Sequence, residues 1–219
     1  MNAIAVILAR GGSKTIKNKN IIDVAGYELI SYSIQAAKDS KIFDKIVVST
    51  DSKKIAKISN IYGAETPFYR NKKLSTDKVT SLDALKDAIN KCEKIYSKKF
   101  DFIFELPCVS PMRDSQDIIN AYKILISKKF DSVTSYVNTG EKHPIRMKKI
   151  LKNNHKFTIK GICKEFKEPS FGSFKQDLDP TYVRNGAIYA MTKNCLLKQN
   201  SRHGKKQYPL IMSEEKSDR

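Results

Sequence analysis

Residues 4–9, IAVILA, form an unbroken apolar run that leads directly into Arg10, Gly11, Gly12, Ser13 and Lys14. A strand without polar alternation has no solvent face, so the run predicts a central strand covered on both sides. The segments that follow alternate in period. YELISYSIQAAKDS (27–40) has helical spacing, and DKIVVST (44–50) is a β-branched run closed by Asp51. SKKIAKISNIYG (52–63) reads as an amphipathic helix stopped by Gly63. TSLDALKDAINKCEKIY (80–96) is the clearest helix, with Leu82, Leu85, Ile89 and Cys92 on one stripe. FDFIFELP (100–107) is a third strand ended by Pro107, DSQDIINAYKILIS (114–127) a helix capped at Asp114 or Ser115, and DSVTSYV (131–137) a fourth strand. Alternation of this kind predicts an α/β fold: a mostly parallel, Rossmann-like sheet flanked by helices. Its ligands bind outside the carboxyl ends of the strands. The loop after the first strand, Asp51 and CVSPMR (108–113) are therefore expected along one rim.

Between about residues 140 and 183 the period changes. GEKHPIRMKKILKNNHKFTIKGI alternates weakly and carries the turn signal Asn153-Asn154. It predicts hairpin strands in a small β-rich arm. NGAIYAMT (185–192) then restores a buried strand and KNCLLKQ (193–199) a short helix. With 219 residues and no internal repeat, the chain is expected to be one domain.

The balance of 41 Lys+Arg against 23 Asp+Glu, a net charge of +18, raises the possibility of a basic nucleic-acid-binding protein. The lysines, however, are spread over almost every segment, as a solvated lysine-rich surface would be, and no nucleic-acid-binding signature is present. No apolar run approaches the ~20 residues a membrane span needs. Cys92, Cys108, Cys163 and Cys195 lie far apart without a CxxC pair, which argues against a zinc site and fits a reducing compartment. The expectation is a cytoplasmic protein without nucleic-acid or membrane partners.

The loop after the first strand carries the strongest chemical signal. Adjacent glycines let backbone N–H groups approach a ligand, consecutive N–H groups form an anion-binding nest, and Arg10, Lys14 and Lys19 add charge. The spacing is neither a Walker A loop nor a dinucleotide fingerprint, and an ordinary strand-to-helix turn with solvated lysines is the competing reading. Thr80 and Ser81 read equally as helix caps or as hydroxyls facing a base, and Arg70 as facing a phosphate or solvent. Pro107 and Pro111 stiffen the loop carrying Ser110 and Arg113. His143, His155 and His203 have no GxSxG element near them, and His143 reads as a surface or arm residue.

Taken together, ARGGSKTIKNKN (9–20), VVSTDS (47–52), LSTDKVTS (74–81), SPMR (110–113), HPIRM (143–147), KQDLDPTYVRNGAIYA (175–190) and MSEEKS (212–217) resemble the acylneuraminate cytidylyltransferase family. That family comprises the CMP-sialic acid synthetases and their relatives for bacterial nonulosonic acids. The motifs are collinear and span nearly the whole chain. The resemblance implies a nucleotide-diphospho-sugar transferase-like fold. It implies transfer of CMP from CTP to the anomeric hydroxyl of a nine-carbon keto-sugar acid, with pyrophosphate leaving and Mg²⁺ assisting. Arg10, Lys14 and Lys19 are the implied catalytic residues. Ala9, Gly11, Gly12, Ser13, Asn20, Arg70 and Ser81 complete the implied nucleotide site with those three. Val109, Ser110 and Tyr189 match the sugar wall. Arg146, Lys175 and Gln176 match positions around the sugar, the two basic ones reaching a partner's site from the arm. The resemblance thus implies a homodimer with shared active sites, serving lipopolysaccharide, capsule or flagellin glycans.

Four departures from the family pattern qualify these expectations. Thr15 stands where glycine is usual. Pro107 replaces a polar residue and cannot hydrogen-bond a sugar as an amide would, which favours legionaminic or pseudaminic acid over sialic acid. Lys175 replaces arginine and loses its bidentate geometry. The family's metal-binding aspartates lie just past MSEEKS, where this sequence ends at Arg219, so the expectation is a truncated carboxyl end lacking the final helix as well. A catalytically inactive member of the fold, and a nucleotidyltransferase for another acid such as an octulosonate, are the alternatives.

Overall fold

A computed structural model describes residues 1–12, 16, 18–76, 79–153, 156–162 and 178–217. The apolar run becomes β1 (Ala3–Leu8), and its residues from Ala3 to Ile7 are fully buried. A two-residue turn at Ala25 and Gly26, both with positive φ, joins the short strands β2 (Asp23–Val24) and β3 (Tyr27–Glu28). This hairpin takes Tyr27 and Glu28 out of the expected helix, which starts at the next residue as α1 (Leu29–Ser40). The signal was the positive-φ Ala-Gly pair, a hairpin turn chemistry that helical spacing alone does not register.

The next elements follow the sequence expectation: β4 (Lys45–Ser49), α2 (Lys53–Ile61), α3 (Ser81–Ile95), β5 (Phe102–Glu105), α4 (Ser115–Ile126) and β6 (Ser132–Asn138). Gly63 closes α2 at φ +91, a conformation glycine adopts without strain. The α4 cap is Asp114 in a reciprocal capping box with Asp117. Leu85, Ile89 and Cys92 of α3 are fully buried, as their stripe predicts.

After β6 the chain leaves the sheet for the arm, whose hairpin pairs β7 (Lys148–Asn153) with β8 (Lys156–Gly161). It returns as β9 (Tyr182–Thr192), followed by α5 (Lys193–Leu197) and β10 (Gln207–Ile211). The sheet order is β10-β6-β9-β5-β1-β4. Pairs β1–β4, β1–β5 and β6–β10 are parallel, and β9 alone runs against its neighbours. The reversal follows from the arm's position. Asn138 at the end of β6 faces Tyr182 at the start of β9, and Thr139 N donates to Thr181 O at 2.9 Å. The chain re-enters at the same rim it left, so no crossover is needed and the strand must run back. The edge strand β10 escapes periodicity because Pro209 interrupts a short run, as edge positions permit.

Two apolar clusters cover the sheet. One joins α1 and α4 to it through Ile30, Ile34, Phe104, Ile118 and Leu125. The other joins α3 and α5 through Leu85, Ile89, Ile103, Met191 and Leu196. Cys92, Cys108 and Cys195 are free and buried, and burial pushes each thiol up to about 12. Cys163 lies outside the described residues. Among the described residues no helix is long and apolar enough to cross a membrane.

Candidate active site

The carboxyl ends of β1, β4 and β5 meet at one rim, and a cleft of about 440 Å³ opens there. Arg10 and Lys19 from the first loop, Arg70 after α2, and Arg202 from the loop before β10 line it, with Glu105 as the one acidic side chain in its described wall. Four cations against one carboxylate make it a site for a polyanion.

The first glycine of the loop is engaged by the protein itself. Gly11 N–H does not face the cleft; it donates to Asp51 Oδ1 at 2.8 Å. A Cβ on Gly11 would lie 3.0 Å from the Cβ of Ser52, a tight contact with the start of α2 that favours glycine here. Ala9 is fully buried, and its N–H is used by Ser49 O at 3.1 Å. Gly12 is exposed, with open space where a side chain would be. Asn20 is buried and donates from Nδ2 to Arg10 O at 3.0 Å, so its amide shapes the loop as well as lining the cleft. Ser13 and Lys14 lie outside the described residues.

Arg70 is buried, which corrects the solvent reading. Its Nε donates to Ser49 Oγ at 3.1 Å and its Nη2 to Ser49 O. Burial lowers its pKa, with Asp51 acting in the opposite sense. It remains charged and stiffly held at the cleft wall. Thr80 is the cap of α3, accepting from Asp83 N at 3.2 Å, and Ser81 opens the helix with its residue on the cleft wall. The cap of α3 is therefore Thr80, and both residues line the cleft.

Val109, Pro107 and Tyr189 line the cleft. Ser110 is absent from its described lining: the residue is 1% exposed and its Oγ has no partner among the described residues. Arg113 is buried beside it and donates from Nη1 to Ala187 O at 2.8 Å, tying the proline-stiffened loop to β9. The surface reading of His143 is also corrected. His143 is buried at the arm's root, where its Nδ1 accepts from Ile145 N at 3.2 Å. Arg146 sits in the arm, 3.4 Å from Glu141, and is not among the residues lining this chain's cleft. Lys175 and Gln176 lie outside the described residues.

Sequence reasoning missed Glu105 and Arg202. Arg202 Nη1 donates to Glu105 Oε2 at 2.8 Å, and its guanidinium lies 4.4 Å from the centre of the Tyr189 ring. Burial raises the Glu105 pKa, while Arg202 and then Arg70 pull it down. The available signal was a carboxylate at the end of an otherwise apolar strand. Among the described residues no three His, Cys, Asp or Glu side chains come together as a cation cage.

Residues 4–213 match the family described as Cytidylyltransferase. The chain is 34% identical over 213 residues to the "Post-translational flagellin modification protein B" of Campylobacter coli, covering 96% of this chain and 86% of that protein. It is 34% identical over 200 residues to the "Pseudaminic acid cytidylyltransferase" of Campylobacter jejuni subsp. jejuni (serotype O:23/36, strain 81-176), covering 91% and 82%. Among solved structures, a CMP:2-keto-3-deoxy-manno-octonic acid synthetase complexed with CTP superposes with a TM-score of 0.70 at 17% identity, over 97% of this chain and 90% of that one. At that identity the likeness is one of fold.

Proposed function

This chain belongs to the cytidylyltransferase family, and from that premise we propose that it transfers CMP from CTP to a nonulosonic acid of the pseudaminic or legionaminic kind, releasing pyrophosphate. The observation that carries the reading is the convergence of Arg10, Lys19, Arg70 and Ser81 on one cationic cleft at the carboxyl rim of the sheet. In the reaction the anomeric hydroxyl oxygen bonds to the α-phosphorus of CTP. The bond from that phosphorus to the α,β-bridging oxygen breaks, and the hydroxyl proton is lost to the medium. Charge accumulates on the departing pyrophosphate, so the protein's part is to position the reactants and stabilise that charge.

Arg10, Lys14 and Lys19 are assigned to the phosphates, with Gly12 and Ser13 beside them, and Arg70 and Ser81 to the nucleoside. Gly11 and Ala9 act through the backbone architecture of the loop. Val109 and Tyr189 face the sugar, with Ser110 supporting that wall. Mg²⁺, in this reading, supplies Lewis-acid neutralisation of the triphosphate. Such an ion takes most of its ligands from phosphate and water, and the described side chains form no dedicated cage for it.

The arm supports a homodimer. Ile150 faces Ile159 across the β7–β8 hairpin, with Phe157 on the same face, and the three are 65%, 66% and 65% exposed. This exposed apolar group, with Lys152 over the Phe157 ring on the same face, suits a partner surface, and the proposed partner is a second copy, whose cleft would receive Arg146, Lys175 and Gln176. The cytoplasm is the proposed location.

The direct test is pyrophosphate release from CTP with a panel of nine-carbon sugar acids and an octulosonate. No turnover with any nine-carbon acid, but turnover with the octulosonate, would replace the substrate assignment. Ser81→Ala is expected to reduce preference for CTP over UTP by about tenfold, the cost of one hydrogen bond in a desolvated site. An unchanged ratio of kcat/KM values would remove Ser81 from base recognition. Ile159→Asp is expected to convert a dimer to a monomer in sedimentation velocity while far-UV circular dichroism stays the same. A wild-type monomer at micromolar concentration would count against the arm assignment.

A further inference from the structure

Glu105 and Arg202 have no role in the reaction as described above, yet they meet inside the cleft. Glu105 ends β5 directly opposite Tyr189 of β9, so the two side chains leave the sheet on one face. The side chains of Glu105 and Arg202 are 5% and 24% exposed. A buried carboxylate opposes an anionic ligand, and burying an ion pair costs desolvation that its attraction repays only with good geometry. This pair therefore calls for a reason beyond stability. Its geometry gives one. The guanidinium is ion-paired on one edge and stacked on the Tyr189 ring, so it is held in a single orientation before any ligand arrives. Among the described residues its only hydrogen bond is the one to Glu105, and the residue lines the cleft. Taken as a unit, Glu105 and Arg202 are neutral. A second carboxylate docking there would sit beside Glu105 and be repelled, whereas an uncharged oxygen would meet a strong, fixed donor. Tyr189, Val109 and Gly186 line the same cleft, and the first two are the residues assigned to the sugar in the proposed reaction.

We propose that Arg202, clamped by Glu105 against Tyr189, is a specificity-determining residue that donates to an uncharged acceptor oxygen of the sugar acid, with Glu105 as its positioning residue. The inference rests on the reading of the cleft as a CTP and sugar-acid site. An acyl carbonyl and a ring or chain hydroxyl share this chemistry, and sugar acids differing at one acyl group or at one hydroxyl distinguish them.

The test uses the full chain and its Arg202→Ala, Glu105→Ala and double variants, with Glu105→Gln and Arg202→Lys as isosteric or charge-conserving controls should a truncation fail to fold. Steady-state pyrophosphate release is measured while each substrate is varied, and CTP binding is followed separately as a shift in melting temperature. Arg202→Ala is expected to raise KM for the sugar acid about tenfold or more, with KM for CTP within about twofold. It should also erase discrimination between sugars differing at the oxygen read. Glu105→Ala is expected to raise the same KM in the wild-type background but not in the Arg202→Ala background, because the two act as a unit. Independent, additive effects would overturn the clamp, and a raised KM for CTP with the sugar KM unchanged would overturn the assignment to the sugar. If CTP raises the melting temperature but the wild-type chain uses no sugar acid, the inference fails while the nucleotide assignment stands. If CTP neither binds nor reacts, both fall.

Discussion

Lys19→Ala is expected to lower kcat by about 10²–10³-fold, the typical cost of removing one group aimed at developing charge. Thermal stability should change little. Lys19 starts a single 3-10 turn (Lys19–Ile21) whose anchoring contacts come from its neighbours: Asn20 holds Arg10 O, and Ile21 packs in the core. The lysine itself is half-buried on the cleft wall. Its ammonium is a compact point charge, suited to a phosphate oxygen whose charge grows as the bond to phosphorus breaks. Because that charge is larger in the transition state than in bound CTP, the loss should fall on kcat more than on the KM for CTP. Lys19→Arg, which keeps the charge but changes the donor geometry, should recover part of the rate. The check is steady-state pyrophosphate release alongside a melting curve. An unaltered kcat, or a loss matched by a collapse of the melting temperature, would remove Lys19 from the catalytic group.

The largest expected loss of stability is at Phe104. Phe104→Ala should destabilise the fold by about 3–5 kcal/mol through lost transfer energy and a residual cavity. The ring is fully buried in the middle of β5, edge-on to Phe43 with centroids 5.1 Å apart and tilted against Tyr122 of α4 at 6.4 Å. It thus joins the sheet to the chain segment after α1 and to α4 at once, and neither can move in without disturbing the other. For a chain of this size the loss corresponds to a fall of roughly 6–20 °C in melting temperature. Phe104→Leu should lose much less, because most of the volume is kept. Comparable melting temperatures for Phe104→Ala and the wild type would mean that the sheet–helix interface closes around the missing ring.

The two predictions differ in how far they can be read from the chain alone. Lys19 stands in a motif whose meaning is local: an apolar strand, two glycines and a series of cations before the next apolar pair. Phe104 stands in an apolar run whose burial is equally local. The correspondence of α2, α3, α4 and the β7–β8 hairpin to their sequence periods has the same origin. By contrast, the adjacent glycines suggest an anion nest, yet Gly11 donates to Asp51, which lies forty residues further along. Two prolines suggest a stiff site wall, and Pro107 does line the cleft, but Ser110 is buried with no hydrogen-bond partner for its hydroxyl among the described residues. Arg70 offers no local sign that Ser49 would hold it buried at the rim.

Periodicity records which face of a segment must avoid water, and that constraint is satisfied residue by residue within each element. The alternating strands and helices, the arm as a separate β unit and the cationic loop after β1 are therefore all written in the order of residues. Pairing across the fold obeys a different rule: partners are chosen by where whole elements come to rest. The reversed direction of β9 follows from an arm that leaves and re-enters at one rim. The meeting of Arg202 with Glu105, 97 residues apart, follows from that strand bringing Tyr189 opposite the end of β5. No local pattern specifies such a contact, because its free energy exists only after the sheet has closed.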